Sequence, residues 1–243
     1  MIRQQLNAHT GGESNFLWRG GEITRLEGFT DAVFAFAVTL LVVSLEVPKS
    51  FHELTEVMRG FVAFGVCFAL LIVVWFNHYR FFRRYGLQDP WSVFLNCLLL
   101  FFVLFYVYPL KFLFFAMFTG GGRIEAQDAR TLFMIYGAGY AAVFLTFALL
   151  YLHAWRKRDA LALNEIERLR TRQGLIDHIA MVVIGVSSAL LALTLPSKLV
   201  GLAGWFYFSV GVYFMVAGKV FGRRERSLLS KKRPTSVPVE AGR

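Results

Sequence analysis

The sequence predicts an all-α membrane protein with six transmembrane helices and both termini in the cytoplasm. Three observations predict this class: 56% of the residues are hydrophobic, 26 of the 243 are Phe, and the charged residues gather between long apolar runs. A helix that crosses the hydrocarbon core needs about 20 apolar residues. Six windows reach that length: 24–45, 57–77, 91–109, 132–152, 176–195 and 199–221. The third continues beyond Pro109 as an apolar stretch too short for another span, so we expect a kinked or interfacial extension.

The basic residues predict the orientation of these spans. All but six of the 26 Lys and Arg residues lie at or before the start of the first window, after the second, after the fourth, or at or after the end of the sixth. The positive-inside rule therefore predicts a multi-pass protein with both termini and those segments in the cytoplasm. The net charge of +10 is then explained by basic residues that lie beside anionic lipid headgroups. No nucleic-acid partner is needed to explain it.

The chain divides into three parts by composition. Residues 1–23 are polar and contain four glycines, which predicts a flexible N-terminal tail rather than a signal peptide. Residues 24–222 form the six-helix domain, and 223–243 form a basic tail predicted to be disordered. Between the fourth and fifth spans, Glu165 and Glu167 are each spaced to pair with an Arg three residues later, and Gly174 offers a helix cap. This charge pattern is typical of a solvated helical connector, and a partner-binding helix is the alternative.

No cofactor is expected. Cys67 and Cys97 both lie within predicted spans, which makes a disulfide framework or a metal site improbable, and we expect both to be packing residues.

Polar residues stand at the ends of the first three spans. Asp31 begins the apolar run from Ala32 to Val43, where an unpaired carboxylate is costly. The first span begins, the second ends and the third begins on the same predicted side, so their polar groups lie at similar depth and can meet. The groups are Arg25, Thr30 and Asp31; Trp75, Asn77, His78 and Arg80; and Asn96.

The partners of Asp31 are expected to come from other helices. Arg25 and Asp31 are six positions apart, which is about 240° around a helix, so they do not share a face. His78 and Asn77 are candidate donors to Asp31. Interfacial anchoring is one interpretation of the cluster. The others are a network that holds the first helix in place and a proton relay through Asp31 and His78.

One face of the first span carries a regular stripe. Phe36, Thr39, Leu40 and Val43 follow the i, i+3, i+4, i+7 spacing of a single helix face. The spacing alone is typical of core or lipid-facing packing. Thr39 supplies the stripe's hydroxyl group, which its own backbone can satisfy.

The segment RLEGFTDAVFAFAVTLLVV resembles the Arg-x-x-x-Phe-Ser-Asp signature of the endosomal and lysosomal potassium channel family and its bacterial relatives. Arg25, Phe29 and Asp31 match this signature, and Thr30 keeps the hydroxyl of the usual Ser. The stretch VWFNHYRFF, at 74–82, is similar to the family's Phe-Trp-x-x-His-His-Arg pattern. The stretch LNCLLLFFVLFYVYP is similar to its third helix.

The resemblance implies a homotetramer in the bilayer, with the first helix lining a central pore for potassium and other monovalent cations. It places constrictions at Phe36, Thr39 and Val43, where relatives have an aliphatic residue at the position of Phe36. Arg25, Asp31, Trp75 and His78 would then support the pore helix without touching the ion. An apolar ring forces partial dehydration, which costs less for potassium than for sodium.

The sequence thus predicts a passive, potassium-preferring cation channel that is not an enzyme. A proton-coupled secondary transporter using Asp31 and His78 is the alternative, although no pair of spans shows the Gly/Pro-broken pattern of carriers. An intramembrane enzyme is a third class, and the sequence contains no His-x-x-Glu-His or Gly-x-Ser-x-Gly motif to support it.

Overall fold

A computed structural model of the chain describes residues 16–43, 50–119, 126–196 and 199–232. All regular secondary structure in these residues is helical, which confirms the all-α prediction. The elements are α1 (Arg25–Val43), α2 (Phe51–Tyr85), α3 (Pro90–Thr119), α4 (Ala126–Arg156), α5 (Glu165–Thr194), the short α6 (Leu202–Trp205), a 3₁₀ turn (Phe206–Phe208) and α7 (Ser209–Lys232).

Five helical segments of the described residues are long and apolar enough to cross a membrane. They are Gly60–Tyr85, Pro90–Ala116, Asp128–Arg156, Glu165–Thr194 and Leu202–Ser230. The chain is therefore a multi-pass membrane protein. α1 is shorter and is followed by residues outside the described part, so a sixth span and the sides of the termini stay predictions.

Local capping interactions determine where several helices begin and end. Thr24 and Glu27 form a reciprocal capping box before α1: Glu27 N donates to Thr24 Oγ1 at 3.1 Å and Thr24 N donates to Glu27 Oε2 at 2.9 Å. α2 ends at Tyr85, just before Gly86, whose φ of 59° suits glycine. Asn164 and Glu167 form a second capping box at the start of α5.

α3 continues as helix through Pro109 to Thr119, so the extension of the third span is confirmed and a kink at Pro109 stays a prediction. One expectation about a helix end is wrong. Gly174 lies inside α5 and is not a cap. Its missing side chain makes room for the ring of Tyr151.

The expected pairs within the 165–170 segment are replaced by longer-range contacts. Glu167 binds Arg19 at 2.8 Å, and Arg170 binds Glu225 of α7 at 2.5 Å. Arg168 binds Asp159 at 2.7 Å. The start of α5 is therefore a docking point for other segments and not a solvated connector.

Both predicted tails include ordered residues. In the predicted N-terminal tail, residues 16–21 lie against α2 and α5, with Phe16 buried. In the predicted C-terminal tail, residues 223–232 continue α7 as helix. The rest of the predicted disorder, residues 1–15 and 233–243, lies outside the described part.

Candidate functional site

α1 has two unlike faces in the single subunit. Thr30, Phe34, Ala37 and Leu41 are buried against the other helices. Their spacing by three and four residues places them on one side of the helix. The opposite side carries Phe36, which is 56% exposed, and the exposed residues Phe29, Ala32 and Thr39.

The predicted stripe is divided between these faces. Phe36 and Thr39 are exposed, whereas Leu40 is half-buried and packs against the core at the edge of the exposed face. The Thr39 hydroxyl donates to Ala35 O at 3.0 Å, within its own helix. Val43 is the last residue of α1, and its side chain lies outside the described part.

A fully buried hydrogen-bond chain joins α1 to α2 and α3. Asn96 Nδ2 donates to Thr30 Oγ1 at 2.9 Å, and the Thr30 hydroxyl donates to Leu26 O at 2.8 Å. Asn96 Oδ1 lies 2.7 Å from His78 Nε2, which therefore carries the proton in this arrangement. The three side chains satisfy one another in a place where an unpaired polar group is costly.

Asp31 is held by a second contact. Trp75 Nε1 donates to Asp31 Oδ1 at 2.8 Å, and the Trp75 ring stacks on Tyr79 with centroids 5.7 Å apart. The expectation that Asn77 or His78 donates to Asp31 is wrong. Asn77 lies about 200° around α2 from Trp75 at 100° per residue, and its amide donates to Val73 O of its own helix at 2.8 Å.

Arg25 and Phe29 lie apart from both contacts. Arg25 is exposed beside a shallow pocket formed with residues 19–24. Phe29 is 56% exposed and shares the open face with Phe36, since seven residues are close to two helical turns. The structure thus brings together Thr30, Asp31, Trp75, His78 and Asn96, and leaves Arg25, Phe29 and Asn77 outside that group.

Lys111 of α3 contacts the other end of α1. Its Nζ donates to Leu41 O at 3.0 Å, in the last turn of α1. A cation there also complements the helix dipole. This contact was not predicted, although a single Lys in an otherwise apolar run was the available signal.

Residues 16–21, which we call the strap, run along the base of the bundle just before α1. Arg19 reaches Glu167 with two nitrogens, at 3.1 and 2.8 Å, and donates through Nε to Leu161 O at 2.8 Å. Leu17 N also donates to Glu167, at 2.8 Å. Glu167 is only 1% exposed, so the strap supplies most of the groups that compensate this buried carboxylate.

The strap also contacts α2, the helix whose Trp75 side chain binds Asp31. Gly20 N donates to Arg83 O at 3.0 Å, and the Arg83 guanidinium lies 4.9 Å from the Trp18 ring centroid. Trp18 meets the edge of Tyr79 at 6.3 Å, and Tyr79 stacks on Trp75. Adjacent side chains therefore connect the start of α5 with the start of α1.

A third polar cluster joins α3 and α4. Asp89, just before α3, accepts hydrogen bonds from Ser92 at 3.0 Å, from His153 at 3.0 Å and from Lys157 at 2.9 Å. Partial burial by itself would raise the pKa of the Asp89 carboxyl, but the hydrogen bonds from Lys157, His153 and Ser92 outweigh it and hold this pKa well below its usual range.

The family model of the endosomal/lysosomal potassium channel TMEM175 matches residues 25–106. This range contains α1 and both of its side-chain contacts with α2 and α3. A potassium channel of Marivirga tractuosa is 37% identical over 245 residues, which cover 94% of this chain and 99% of the relative. The chain belongs to the TMEM175 family. Membership places it in a class of ion channels and not of enzymes.

Two solved TMEM175 structures extend the likeness to the fold. A variant of the potassium channel MtTMEM175, in complex with a nanobody–MBP fusion protein, has a TM-score of 0.77 at 36% identity and covers 88% of this chain and 100% of that one. The lysosomal potassium-selective channel TMEM175 homolog from Chamaesiphon minutus has a TM-score of 0.53 at 26% identity. The match covers 83% of this chain and 96% of that one.

Proposed function

We propose that this protein is a passive, potassium-preferring cation channel of a bacterial-type inner membrane. Its path is formed by the exposed faces of α1 from several copies of the chain. One observation carries the proposal: α1 is anchored through Thr30 and Asp31 on one side and exposes Phe36 and Thr39 on the other. The names of the relatives from Marivirga tractuosa and Chamaesiphon minutus support potassium as the permeant ion.

Four copies around an axis normal to the membrane are the proposed assembly. One copy of α1 cannot enclose an ion path by itself. Rotational symmetry brings the identical faces of several copies together in a closed ring. Native mass spectrometry in mild detergent is expected to show a tetramer. A purified protein that conducts as a monomer would overturn this assembly.

The narrowest part of the path is proposed at Phe36, Thr39 and Val43. Apolar side chains cannot replace the hydration shell of a cation, so a narrow apolar ring favours the ion that loses water at lower cost, which is potassium. The face of an aromatic ring also attracts cations. Leu40, which packs against the core, is proposed to support this ring from behind.

The rival transporter would need proton exchange between Asp31 and His78. These two side chains bind different partners, Trp75 and Asn96, which favours the anchoring role over a relay. A current that follows the potassium gradient with no imposed proton gradient supports the channel. Uptake that requires a proton gradient would support the transporter instead.

The test of the path is the substitution Phe36→Ala, measured by current recording in planar bilayers with opposed potassium and sodium gradients. Removing the benzyl group widens the ring and weakens enforced dehydration, so we expect higher conductance and a reversal potential shifted toward zero. Phe101→Ala is the matched control, because Phe101 is similarly exposed, at 62%, but lies on α3. Unchanged conductance and reversal potential in a conducting Phe36→Ala protein would show that Phe36 does not line the path.

A further inference from the structure

The strap, residues 16–21, is fixed between α5 and the end of α2. On the α5 side, two nitrogens of the Arg19 guanidinium donate to the two oxygens of Glu167, a bidentate arrangement that fixes orientation as well as distance. On the α2 side, Gly20 N donates to Arg83 O at 3.0 Å, and Arg83 Nη1 donates to Gly21 O at 2.6 Å. A side chain and the backbone of the strap are therefore both held.

The backbone of the strap lies in contact with the backbone of α2 at Gly20. A Cβ added there would lie 2.8 Å from Phe82 O and 3.1 Å from Arg83 Cα. One added to the neighbouring Gly21 would meet nothing within 4 Å. The docked position of the strap therefore needs glycine at residue 20 and not at residue 21.

A very short connection joins the strap to α1. Only two residues, 22 and 23, separate Gly21 from Thr24, whose Oγ1 caps the helix. The three chain steps between Gly21 and Thr24 span at most about 11 Å, and the chain bends within them at Glu22. The first turn of α1 is therefore kept close to α2 and α5 for as long as the strap is docked.

A second connection runs through aromatic side chains. Trp18 of the strap meets the edge of Tyr79, and Tyr79 stacks on Trp75. Trp75 in turn donates to Asp31 of α1. Phe36 lies five residues beyond Asp31, which is about 8 Å along the helix. The strap thus acts on α1 both at its first turn and at Asp31, below the proposed constriction.

We propose that Arg19 is a positioning residue for the ion path: its bond to Glu167 keeps the strap docked and α1 in the conducting arrangement. This role rests on the proposed function, in which the exposed faces of α1 from several copies form the path. Release of the strap lets the first turn of α1 take more positions, and the path conducts only when every copy holds a matching one. Docking therefore raises the open probability and leaves the choice of ion to residues further along α1.

The substitutions Gly20→Ala and Gly21→Ala test the docking by single-channel recording in planar bilayers. The methyl group of Gly20→Ala displaces the strap, so we expect an open probability about three-fold lower than that of the wild type. Its unitary conductance and its reversal potential between potassium and sodium should be unchanged. Gly21→Ala is the matched control and should equal the wild type in all three quantities. Equal open probabilities for the two variants, or a shifted reversal potential in Gly20→Ala, would overturn the proposal.

The ion pair is tested with a double variant. Removing Arg19 alone leaves the charge of Glu167 buried and unpaired, which lowers the yield of folded protein. Arg19→Met/Glu167→Gln leaves no unpaired charge at this contact, and it should lower the open probability as far as Gly20→Ala does. Arg168→Gln is the control, because it removes an exposed ion pair with Asp159, and it should conduct like the wild type. A wild-type open probability in the double variant would overturn the role of Arg19.

The mobility of a nitroxide label reports the tether without any current. The label is attached to Phe29→Cys on α1 or to Val183→Cys on α5, two positions that are each 56% exposed. Of the native cysteines, Cys67 is buried and Cys97 is replaced by Ser. Electron paramagnetic resonance spectra are compared between the glycine variants of the full-length protein.

We expect the label at position 29 to be more mobile in Gly20→Ala than in Gly21→Ala, with no difference at position 183. A strap that served only to stabilise the fold would not mobilise position 29 alone. Equal mobility at position 29 would overturn the tether even if the wild type conducts. A wild type that carries no current, with position 29 mobilised by Gly20→Ala, would support the tether and overturn the proposed function.

Discussion

α1 and the α4–α5 pair are held in the molecule by different kinds of contact. α4 and α5 meet at backbone distance: a Cβ added to Gly137 would lie 2.6 Å from Gly185 O, and one added to Gly185 would lie 2.9 Å from Gly137 O. α1 is held instead through side chains, by Asn96 at Thr30 and by Trp75 at Asp31. Small residues at a membrane-helix interface give extensive packing, whereas α1 combines a few hydrogen bonds with the packing of its buried side chains Phe34, Ala37 and Leu41.

This difference predicts which part of the subunit tolerates rearrangement. Packing between α4 and α5 is spread over both backbones, so no single side-chain rotation releases it. α1 is positioned by one buried face and a small number of polar groups, and its outer face has no partner within the described subunit. The pair α4–α5 is therefore expected to act as the scaffold, and α1 as the element whose placement single substitutions can change.

The largest effect is expected from Gly137→Ala. The new methyl group meets a backbone carbonyl that cannot rotate away, so the helices must separate, at a cost of about 3 kcal/mol. The measurement is thermal unfolding of the detergent-solubilised protein. Gly218→Ala on α7, where an added Cβ has open space, is the control and should unfold at or above the wild-type temperature. A Gly137→Ala protein as stable as that control would show that α4 and α5 are not in backbone contact.

A smaller effect on stability is expected from Asn96→Ala, about 2 kcal/mol, because it leaves the buried groups of His78 and Thr30 without their shared partner. This change should also alter conductance, since it removes the hydrogen bond between Thr30 of α1 and Asn96 of α3. Asn77→Ala is the control, because the Asn77 amide bonds only within its own helix. If Asn96→Ala and Asn77→Ala unfold at the same temperature and have the same conductance, the hydrogen bonds of Asn96 do not hold α1 in place.

The smallest effect is expected from Asp89→Asn, about 1 kcal/mol, because the contact lies at the edge of the bundle and is partly hydrated. The pKa of Asp89 is lowered in the folded protein, so its contribution is complete above the unfolded pKa of about 4. It is lost as pH falls toward the folded value. The stability difference between wild type and Asp89→Asn should therefore be constant from pH 7 to about pH 5 and shrink below about pH 4. A difference that grows on acidification would contradict this assignment.

The helical class was predictable because bilayer thickness imposes a minimum length of apolar sequence. Helix ends were less predictable. The apolar window 57–77 lies within a longer helix, Phe51–Tyr85. A helix continues as long as its backbone hydrogen bonds are satisfied, and its residues need not be apolar. The end of α2 is marked by Gly86 with its positive φ, a local signal that hydropathy does not report.

The depth of the site's polar side chains in the membrane was predictable from the sequence, but their hydrogen-bond partners were not. Alternation of spans correctly brought Asp31, His78 and Asn96 to one level, yet the donor to Asp31 is Trp75. The choice between Trp75 and Asn77 depends on the rotation of α2 about its axis, which spacing alone does not determine. The strap was missed because Arg19 and Glu167 are far apart in sequence, although the Asn164 to Glu167 capping spacing marked the helix start.

The Arg19–Glu167 contact joins residues 148 positions apart, and this separation imposes an order on biosynthesis. α1 to α4 are synthesised before Glu167, so the strap has no Glu167 to bind while these four helices are being made. The base of α1 is completed only when α5 begins to form. A nascent chain that ends before residue 167 therefore carries an undocked strap, and every assembled subunit has already passed that point of synthesis.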